Sequence, residues 1–349
     1  MTRKTREIKV GSVVVGGGAP VSVQTMATAD PHDAEALLAQ TLRCAEAGCD
    51  IIRFAVPDVE SAAVLGEVRR RSPIPVVADV HFDHRCALVA IANGADALRL
   101  NPGNINSREK VREVAAAAKA RGIPIRIGVN GGSLEKGETL VSSALKNLAV
   151  LEGEGFFDVV LSVKASDAVK TVEACRELAG QTDCPLHLGV TEAGTLIPGA
   201  VRNSVALGIL LSEGIGETIR VSLTAKPEKE VKVGLEILRS LGLRSLGPAV
   251  TSCPTCGRTK VDVVRMATQV EEALETLSRD RAPGSGPVAM PKVAVMGCAV
   301  NGPGEAKDAD IALCGGDGEF LLYVKGVPVG KVSEGDAVGK VVEYALRMR

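Results

Sequence analysis

The chain has 349 residues, of which 46% are hydrophobic and 24% charged, and its formal net charge at pH 7 is −1. This composition is typical of a globular protein with a sizeable core and excludes a disordered chain. The near-zero charge, with two Tyr, five Phe and no Trp, argues against a protein that binds nucleic acid or an anionic membrane.

The first ten residues, MTRKTREIKV, are basic but lack the apolar segment of a secretory signal. Apolar runs elsewhere extend for only a few residues, far fewer than the ~20 that a membrane-spanning helix needs. We therefore expect a cytoplasmic protein. In that compartment the nine cysteines are expected to be thiols or metal ligands rather than a disulfide framework.

The predicted elements begin with a β-hairpin over residues 7–18 that turns at Gly16–Gly18. A short β-branched strand followed by a helix rich in Ala, Leu and Glu then repeats eight times. The predicted strands span residues 20–26, 50–56, 75–82, 97–103, 124–130, 158–164, 185–191 and 218–224. The predicted helices span residues 32–47, 58–71, 83–93, 107–121, 139–153, 167–179, 199–212 and 227–241.

Eight βα units predict an α/β protein whose strands close into a (β/α)₈ TIM barrel. A doubly wound open sheet is the alternative, but the residues after the first strand, ATADP, lack its usual Gly-rich phosphate loop. The pattern changes near residue 246. We therefore predict a barrel domain with its hairpin over 1–246 and a smaller α/β domain over 247–349, with strands at 292–297, 310–314 and 320–325 and a final helix at 334–347.

Polar side chains lie at the carboxyl ends of the predicted barrel strands, where barrel enzymes build their active sites. Buried polar groups are costly unless they meet a ligand or one another. Five of the side chains at these strand ends are cations that can converge on the barrel axis, namely Arg53, Arg99, Arg126, Lys164 and Arg220. Because guanidinium groups bind phosphate bidentately, the sequence predicts a small anionic substrate, most simply a diphosphate. The other candidates at these strand ends are Asp79, His81, Asn101, Asn130, Glu192 and Ser222.

Other interpretations of these residues stay open. An internal salt-bridge network would use Asp79 and Glu192, although two carboxylates cannot neutralise five cations. His81 and His84 could form a metal pair, although no third ligand is obvious. His187 is interpreted as a satisfied core histidine rather than a catalytic group.

Cys253 and Cys256 form a CxxC motif, and Cys298 ends a later apolar strand. A CxxC alone is compatible with zinc, a redox dithiol or an iron–sulfur cluster. A redox dithiol usually opens a helix after a strand, whereas this CxxC follows a complete barrel, so a redox dithiol is not favoured. A Cys₄ zinc site would need Cys314 as its fourth ligand. Three thiolates suit an iron–sulfur cubane whose fourth iron either has a non-Cys ligand, for which Glu305 is the candidate, or is open. The remaining cysteines are interpreted as small buried hydrophobic residues: Cys44, Cys49, Cys86, Cys175 and Cys184.

Seven segments match one known enzyme family: CPTCGR (253–258), MGCAVNGPGE (296–305), ADVHFDHRCAL (78–88), RLNPGNI (99–105), RIGVNGGSL (126–134), HLGVTEAG (187–194) and GIGETIRVSLT (214–224). Together they resemble bacterial 4-hydroxy-3-methylbut-2-enyl diphosphate synthase, which acts late in the non-mevalonate isoprenoid (MEP) pathway. The match extends nearly from end to end.

The resemblance implies a [4Fe-4S] cluster held by Cys253, Cys256, Cys298 and Glu305. It implies reductive ring opening of 2-C-methyl-D-erythritol 2,4-cyclodiphosphate to the linear allylic diphosphate, with two electrons from flavodoxin or ferredoxin and loss of a hydroxyl as water. The cations would hold the diphosphate, with Asn101 and Ser222 also binding substrate. Glu192, Asp79 or His81 would supply or position a proton, with Asn130 a further catalytic candidate. The family is homodimeric, and one subunit's cluster domain closes over its partner's barrel.

Two features depart from the family pattern. The segment between Cys256 and Cys298 is longer than expected, with the excess around 281–291, and Glu217 stands where Asp is expected. Two competing hypotheses stay open. One is a non-redox barrel transferase or lyase, similar to a pterin-type synthase, with a zinc-bound tail. The other is a non-catalytic iron–sulfur sensor, which the low charge and few aromatic residues do not favour.

Overall fold

The computed structural model describes residues 3–81, 83–105, 107–134, 136–245, 247–279, 288–300 and 302–348. The described residues up to Arg244 form one compact unit, and those from Ser245 onward form a second. Nowhere in the described ranges does a helix combine the length and apolar character that crossing a bilayer requires. Most of the segment noted above for its length, residues 281–287, lies outside the description.

An antiparallel hairpin opens the first unit, formed by β1 (Glu7–Val10) and β2 (Val13–Gly16). The prediction that Gly16–Gly18 form its turn is wrong. The chain reverses at Gly11 and Ser12 instead, where Gly11 adopts a φ of 56° that favours glycine. Gly17 and Gly18 form the next turn, which leads into the barrel.

Within the described residues, eight parallel strands form the barrel: β3 (Ser22–Met26), β4 (Ile51–Ala55), β5 (Val76–Asp79), β6 (Ala97–Leu100), β7 (Ile125–Asn130), β8 (Val159–Lys164), β9 (His187–Leu188) and β10 (Thr218–Ile219). β10 pairs with both β3 and β9, and an isolated parallel bridge between Leu161 and Leu186 joins β8 to the segment that enters β9. The TIM-barrel prediction is confirmed. β9 is shorter than predicted because regular pairing ends before Gly189, whose φ is 153°.

A helix follows each barrel strand: α1 (Ala34–Glu46), α2 (Val59–Arg71), α3 (His84–Ala92), α4 (Arg108–Arg121), α5 (Leu140–Gly153), α6 (Ala168–Ala179), α7 (Leu196–Ser212) and α8 (Pro227–Ser240). Several of these helices begin after an N-cap residue whose side chain accepts a backbone N–H of the first turn, which fixes where the helix starts. These N-cap residues are Asp33, Asp58, Asp83, Thr139 and Asp167. α7 begins three residues before its predicted start, because Pro198 is tolerated in a first turn.

The second unit contains one five-stranded sheet in the order β11 (Gly247–Ser252), β12 (Ala289–Met296), β13 (Ile311–Gly315), β14 (Glu319–Val324) and β15 (Val327–Ser333). The first three strands are parallel and the last two join antiparallel. Its helices are α9 (Val263–Arg279), the short α10 (Gly302–Glu305) and α11 (Glu334–Met348). Residues of α9 and α11 bury one face of the sheet in a single apolar core.

Candidate functional site

The carboxyl ends of the barrel strands enclose a cavity of about 280 Å³ with a largely polar lining. It brings together most of the barrel residues predicted from the sequence: Arg53, Asp79, His81, Arg99, Arg126, Asn130, Lys164, Arg220 and Ser222. The other two predicted residues, Asn101 and Glu192, line an adjoining cavity of about 900 Å³. His81, Arg99 and Asn130 line both cavities, so the two form one continuous candidate site.

Asp79 links two of the cations. Its carboxylate lies 3.1 Å from Nη1 of Arg99 and 3.3 Å from Nε of Arg53. Burial by itself would raise the pKa of Asp79, but Arg53, Arg99 and Arg126 outweigh it and lower that pKa. Burial lowers the pKa of Arg53 to about 10. Asp79 is therefore an ionised anchor at neutral pH.

Glu230 of α8 holds Arg220 and was missed from the sequence. Its Oε1 lies 3.3 Å from Nη2 of Arg220 and accepts the backbone N–H of Leu223 at 2.9 Å, while its Oε2 accepts the hydroxyl of Thr25 at 2.7 Å. The salt-bridge hypothesis named Asp79 and Glu192. Asp79 does pair with cations of the cavity, and the second carboxylate that does so among the described residues is Glu230 rather than Glu192. Its position on the buried face of an amphipathic helix was the available signal.

Arg126 and Lys164 make no ion pair within the described ranges. Burial lowers the pKa of both well below their ordinary values, and the neighbouring cations lower each further. Five cationic side chains thus surround one cavity whose lining includes the single carboxylate of Asp79, with Glu230 behind Arg220. Such an excess of buried positive charge is stable only when an anion can neutralise it.

Two glycines make room for these long side chains. A Cβ atom at Gly128 would lie 2.7 Å from Nε of Arg99, and one at Gly189 would lie 2.7 Å from Nζ of Lys164. Real Cβ atoms do not approach this closely, so each glycine permits the neighbouring cation to project into the barrel. Arg99 uses that space to donate to the carbonyl of Gly128 at 3.1 Å.

His81 and Glu192 are the exposed candidates. Nε2 of His81 lies 3.1 Å from Nη1 of Arg99, and burial, reinforced by Arg99 and Arg53, lowers the pKa of His81 despite the nearby Asp79. Glu192 has a φ of 53°, a left-handed conformation that is uncommon outside glycine and often occurs at functional sites. His84 faces Asp83 and Glu113 instead. Among the described residues no three His, Cys, Asp or Glu side chains could hold a metal ion as placed, so the His81–His84 pair gains no support.

The cysteines divide into two groups. Cys44, Cys49, Cys86, Cys175 and Cys184 are buried free thiols, as predicted. In the second unit, parallel pairing of β11 with β12 directs both strand ends to the same edge of the sheet. There Sγ of Cys253 accepts the backbone N–H of Gly297 at 3.2 Å, next to Cys298. The backbone and side chain of Arg258 lower the pKa of Cys256.

Two residues, Glu305 and Cys314, are candidates for the fourth ligand. The side chain of Glu305 lies outside the described part of the chain. Cys314 is buried, and burial raises its pKa to about 11, with the negative charge of Cys298 adding to the rise.

Family models match nearly the whole chain: the GcpE TIM-barrel domain matches residues 5–235 and the GcpE protein C-terminal domain matches residues 249–346. The chain belongs to the GcpE family. Curated GcpE relatives from Geobacter sulfurreducens and Caldanaerobacter subterraneus are each 51% identical to it. The first alignment covers 98% of this chain and 97% of the relative, and the second covers 93% and 92%. Both relatives are named 4-hydroxy-3-methylbut-2-en-1-yl diphosphate synthase (flavodoxin), which confirms the family predicted from the sequence.

Solved structures of other enzymes share the barrel alone. A Yersinia pestis dihydropteroate synthase aligns with a TM-score of 0.51 at 14% identity, covering 68% of this chain and 97% of its own. A Leptospira borgpetersenii N-acetylneuraminic acid synthetase gives 0.51 at 15% identity, covering 69% and 92%. At such low identity the likeness shows only the fold. The pterin-type alternative is therefore not favoured over the GcpE family.

Proposed function

We propose that this GcpE chain binds the diphosphate of 2-C-methyl-D-erythritol 2,4-cyclodiphosphate in the barrel cavity and converts it to (E)-4-hydroxy-3-methylbut-2-enyl diphosphate. The convergence of five cations on one cavity carries the proposal. In the reaction a ring carbon–oxygen bond to phosphate breaks, two electrons are taken up, and one hydroxyl leaves as water after protonation. Arg53, Arg99, Arg126, Lys164 and Arg220 bind the diphosphate and stabilise the phosphate oxygen that departs.

The proton is assigned to His81 and Glu192. His81, whose lowered pKa keeps it neutral at neutral pH, lines both cavities, and Glu192 lines the larger one, so either side chain would supply or hold the proton for the hydroxyl that leaves. Asp79 fixes Arg53 and Arg99 rather than donating, since those cations keep it ionised. Asn130, Asn101 and Ser222 orient the methylerythritol part of the substrate. Asn101 also accepts the backbone N–H of Gly103 at 3.3 Å.

The cofactor fits the donor chemistry of the second unit. Cys253, Cys256, Cys298 and Glu305 would hold a [4Fe-4S] cluster, because a backbone N–H already faces one sulfur and Arg258 favours the thiolate of Cys256. When bound, such a cluster supplies single-electron transfer. The names of the relatives specify flavodoxin, so we expect flavodoxin rather than ferredoxin to deliver the electrons. A cytoplasmic location, where thiols stay reduced, remains a prediction.

A homodimer is supported by the outer surface of α7. Ile197, Val201, Val205 and Ile209 follow one another at single-turn spacing and are 38–76% exposed. Gly208 lies beside this row with open space above it. A continuous apolar helix face of this kind is typical of a subunit interface. The second copy of the chain is the partner that the homodimeric family implies.

Anaerobically purified protein tests the cofactor. We expect brown protein with about four iron atoms per chain. Cys256→Ser and Glu305→Ala should lower iron content and change the electron paramagnetic resonance signal. Cys314→Ser is the matched control, because that thiol is buried and outside the proposed ligand set. Colourless protein with stoichiometric zinc would contradict the assignment.

Substrate binding is tested with Arg126→Met. Loss of a hydrogen bond to a charged group should raise KM for the cyclic diphosphate roughly 10- to 100-fold, with iron content unchanged. An unchanged KM would refute the role of the cationic cavity.

A further inference from the structure

A third, small cavity lies at the opposite end of the barrel interior. It has a volume of about 20 Å³ and a mainly apolar lining that includes Val10 and Val15 of the hairpin, interrupted by four polar residues. The polar residues include Gln24, Arg126 and His187. Arg126 lines this small cavity and also the substrate cavity. Whatever fixes the lower side of Arg126 therefore affects the substrate site.

Four polar atoms of these three side chains are buried without a hydrogen-bond partner among the described residues. They are Oε1 of Gln24, Nε and Nη2 of Arg126, and Nε2 of His187. His187 is only 1% exposed, Gln24 4% and Arg126 6%. Buried polar groups are almost always paired by protein or by ordered water, so this cluster indicates a small polar ligand.

The ligand must both donate and accept. The two Arg126 atoms are N–H donors, and the Gln24 oxygen is an acceptor. His187 is neutral, because burial, Lys164, Arg126, Arg53 and Arg220 all lower its pKa well below the ordinary value. With the ring proton on Nδ1, Nε2 is an acceptor. One water molecule donates twice and accepts twice, and the volume suits one water.

We infer that this cavity binds a single water molecule that donates to Gln24 and His187 and accepts from Arg126, and that His187 is thereby a positioning residue for Arg126. The water-linked side chains fix the guanidinium from below while its upper side faces substrate. The positioning role rests on the substrate-binding role proposed above for Arg126, whereas the water site does not. A bound halide is the competing occupant, since the guanidinium-bearing Arg126 lines the cavity, but a halide would leave the Gln24 oxygen without a donor.

Two measurements test the site without substrate. The chain has only four His, so nitrogen NMR of the imidazoles, with His187→Gln to assign the signal, identifies the tautomer of His187. We expect the Nδ1–H form with no protonation between about pH 5.5 and pH 8. A crystal structure from bromide-containing solution should show a water peak within hydrogen-bond distance of the four atoms. The Nε2–H tautomer, a titrating His187 or an anomalous bromide peak in the cavity would each overturn the water site.

Kinetics test the positioning role. His187→Leu keeps the bulk but removes the acceptor, and should raise KM for the cyclic diphosphate about tenfold with kcat and iron content little changed. His187→Gln, whose amide oxygen can accept, should restore most of the affinity. Leu178→Ala, a buried change in α6 away from both cavities, is the control for lost stability. An unchanged KM in His187→Leu would refute the positioning role, whereas an unchanged KM in Arg126→Met would refute the proposed substrate site instead.

Discussion

At the scale of single residues, Asp79 determines how the barrel cavity tolerates its positive charge. Its carboxylate is 4% exposed and faces both Arg53 and Arg99. A buried charge that loses its partner is strongly destabilising, because the desolvated ion is left uncompensated. Asp79 therefore contributes to folding as well as to the geometry of the site.

Asp79→Asn should lower the free energy of unfolding by about 3 kcal/mol, because two buried guanidinium groups lose their shared counter-charge. Turnover should fall in parallel as Arg53 and Arg99 lose their anchor. Urea denaturation followed by circular dichroism measures the first effect. Asp83→Asn is the control, since Asp83 is a half-buried N-cap of α3 and asparagine caps a helix equally well. A variant as stable as the wild type would contradict this account.

Residue identity at the strand ends was largely predictable, and the supporting residues were not. Alternation along a strand points every second side chain inward, so Arg53, Arg126 and Lys164 stood out against the expected Val, Ile and Leu. Glu230 gave no such signal, because its sequence neighbours Lys229 and Glu228 make it look like part of a solvated helix face. The remaining signal was its spacing, since Glu230 lies one and two helical turns before Gly234 and Leu238 on the buried face of α8.

At the scale of elements, acidic residues placed just before strands join neighbouring strands at their amino ends. Asp50 accepts the backbone N–H of Val23 at 2.7 Å, Asp96 accepts that of Val76 at 2.8 Å, and Glu217 accepts that of Leu186 at 2.5 Å. Glu217 therefore serves the barrel frame and lies away from the substrate cavity.

Gly128→Ala tests whether Arg99 needs the space that the missing side chain of Gly128 leaves on the neighbouring strand. The added Cβ would lie 2.7 Å from Nε of Arg99, so Arg99 must move. We expect KM for the cyclic diphosphate to rise about tenfold, the cost of weakening one charged hydrogen bond. Gly180→Ala is the matched control, because a Cβ there meets only ordinary contacts at 3.6 Å or more at the end of α6. Equal KM values for the two variants would refute the fit.

Prediction of elements succeeded in the barrel and was incomplete beyond it. The βα alternation specified each barrel helix to within a few residues. In the second unit β11, β15 and α9 were not predicted. The buried apolar residues of α9 recur at helical spacing, at Val263, Met266, Val270, Leu274 and Leu277, so a signal was present. β15 carried none, since its side chains are nearly all exposed and it contains Pro and Gly.

At the scale of the whole molecule, the α7 surface predicts the oligomeric state. Val201→Glu combined with Val205→Glu should convert a dimer to a monomer in sedimentation experiments, because two charges per subunit would be buried without partners. Val59→Glu is the control, since Val59 is a single exposed apolar residue on α2. Persistence of the dimer in the double variant would place the interface elsewhere.

The hairpin that opens the chain affects how substrate enters and product leaves the barrel cavity. Val10 and Val15 pack with Ile51, Val77 and Ala97 into a small apolar cluster at the amino ends of the strands. In the described part of the chain this cluster fills the barrel interior at that end, and the cationic cavity lies at the opposite end. The cyclic diphosphate would then enter, and the linear diphosphate leave, through the same opening of the cavity. Accumulated product should therefore act as a competitive inhibitor of its own formation.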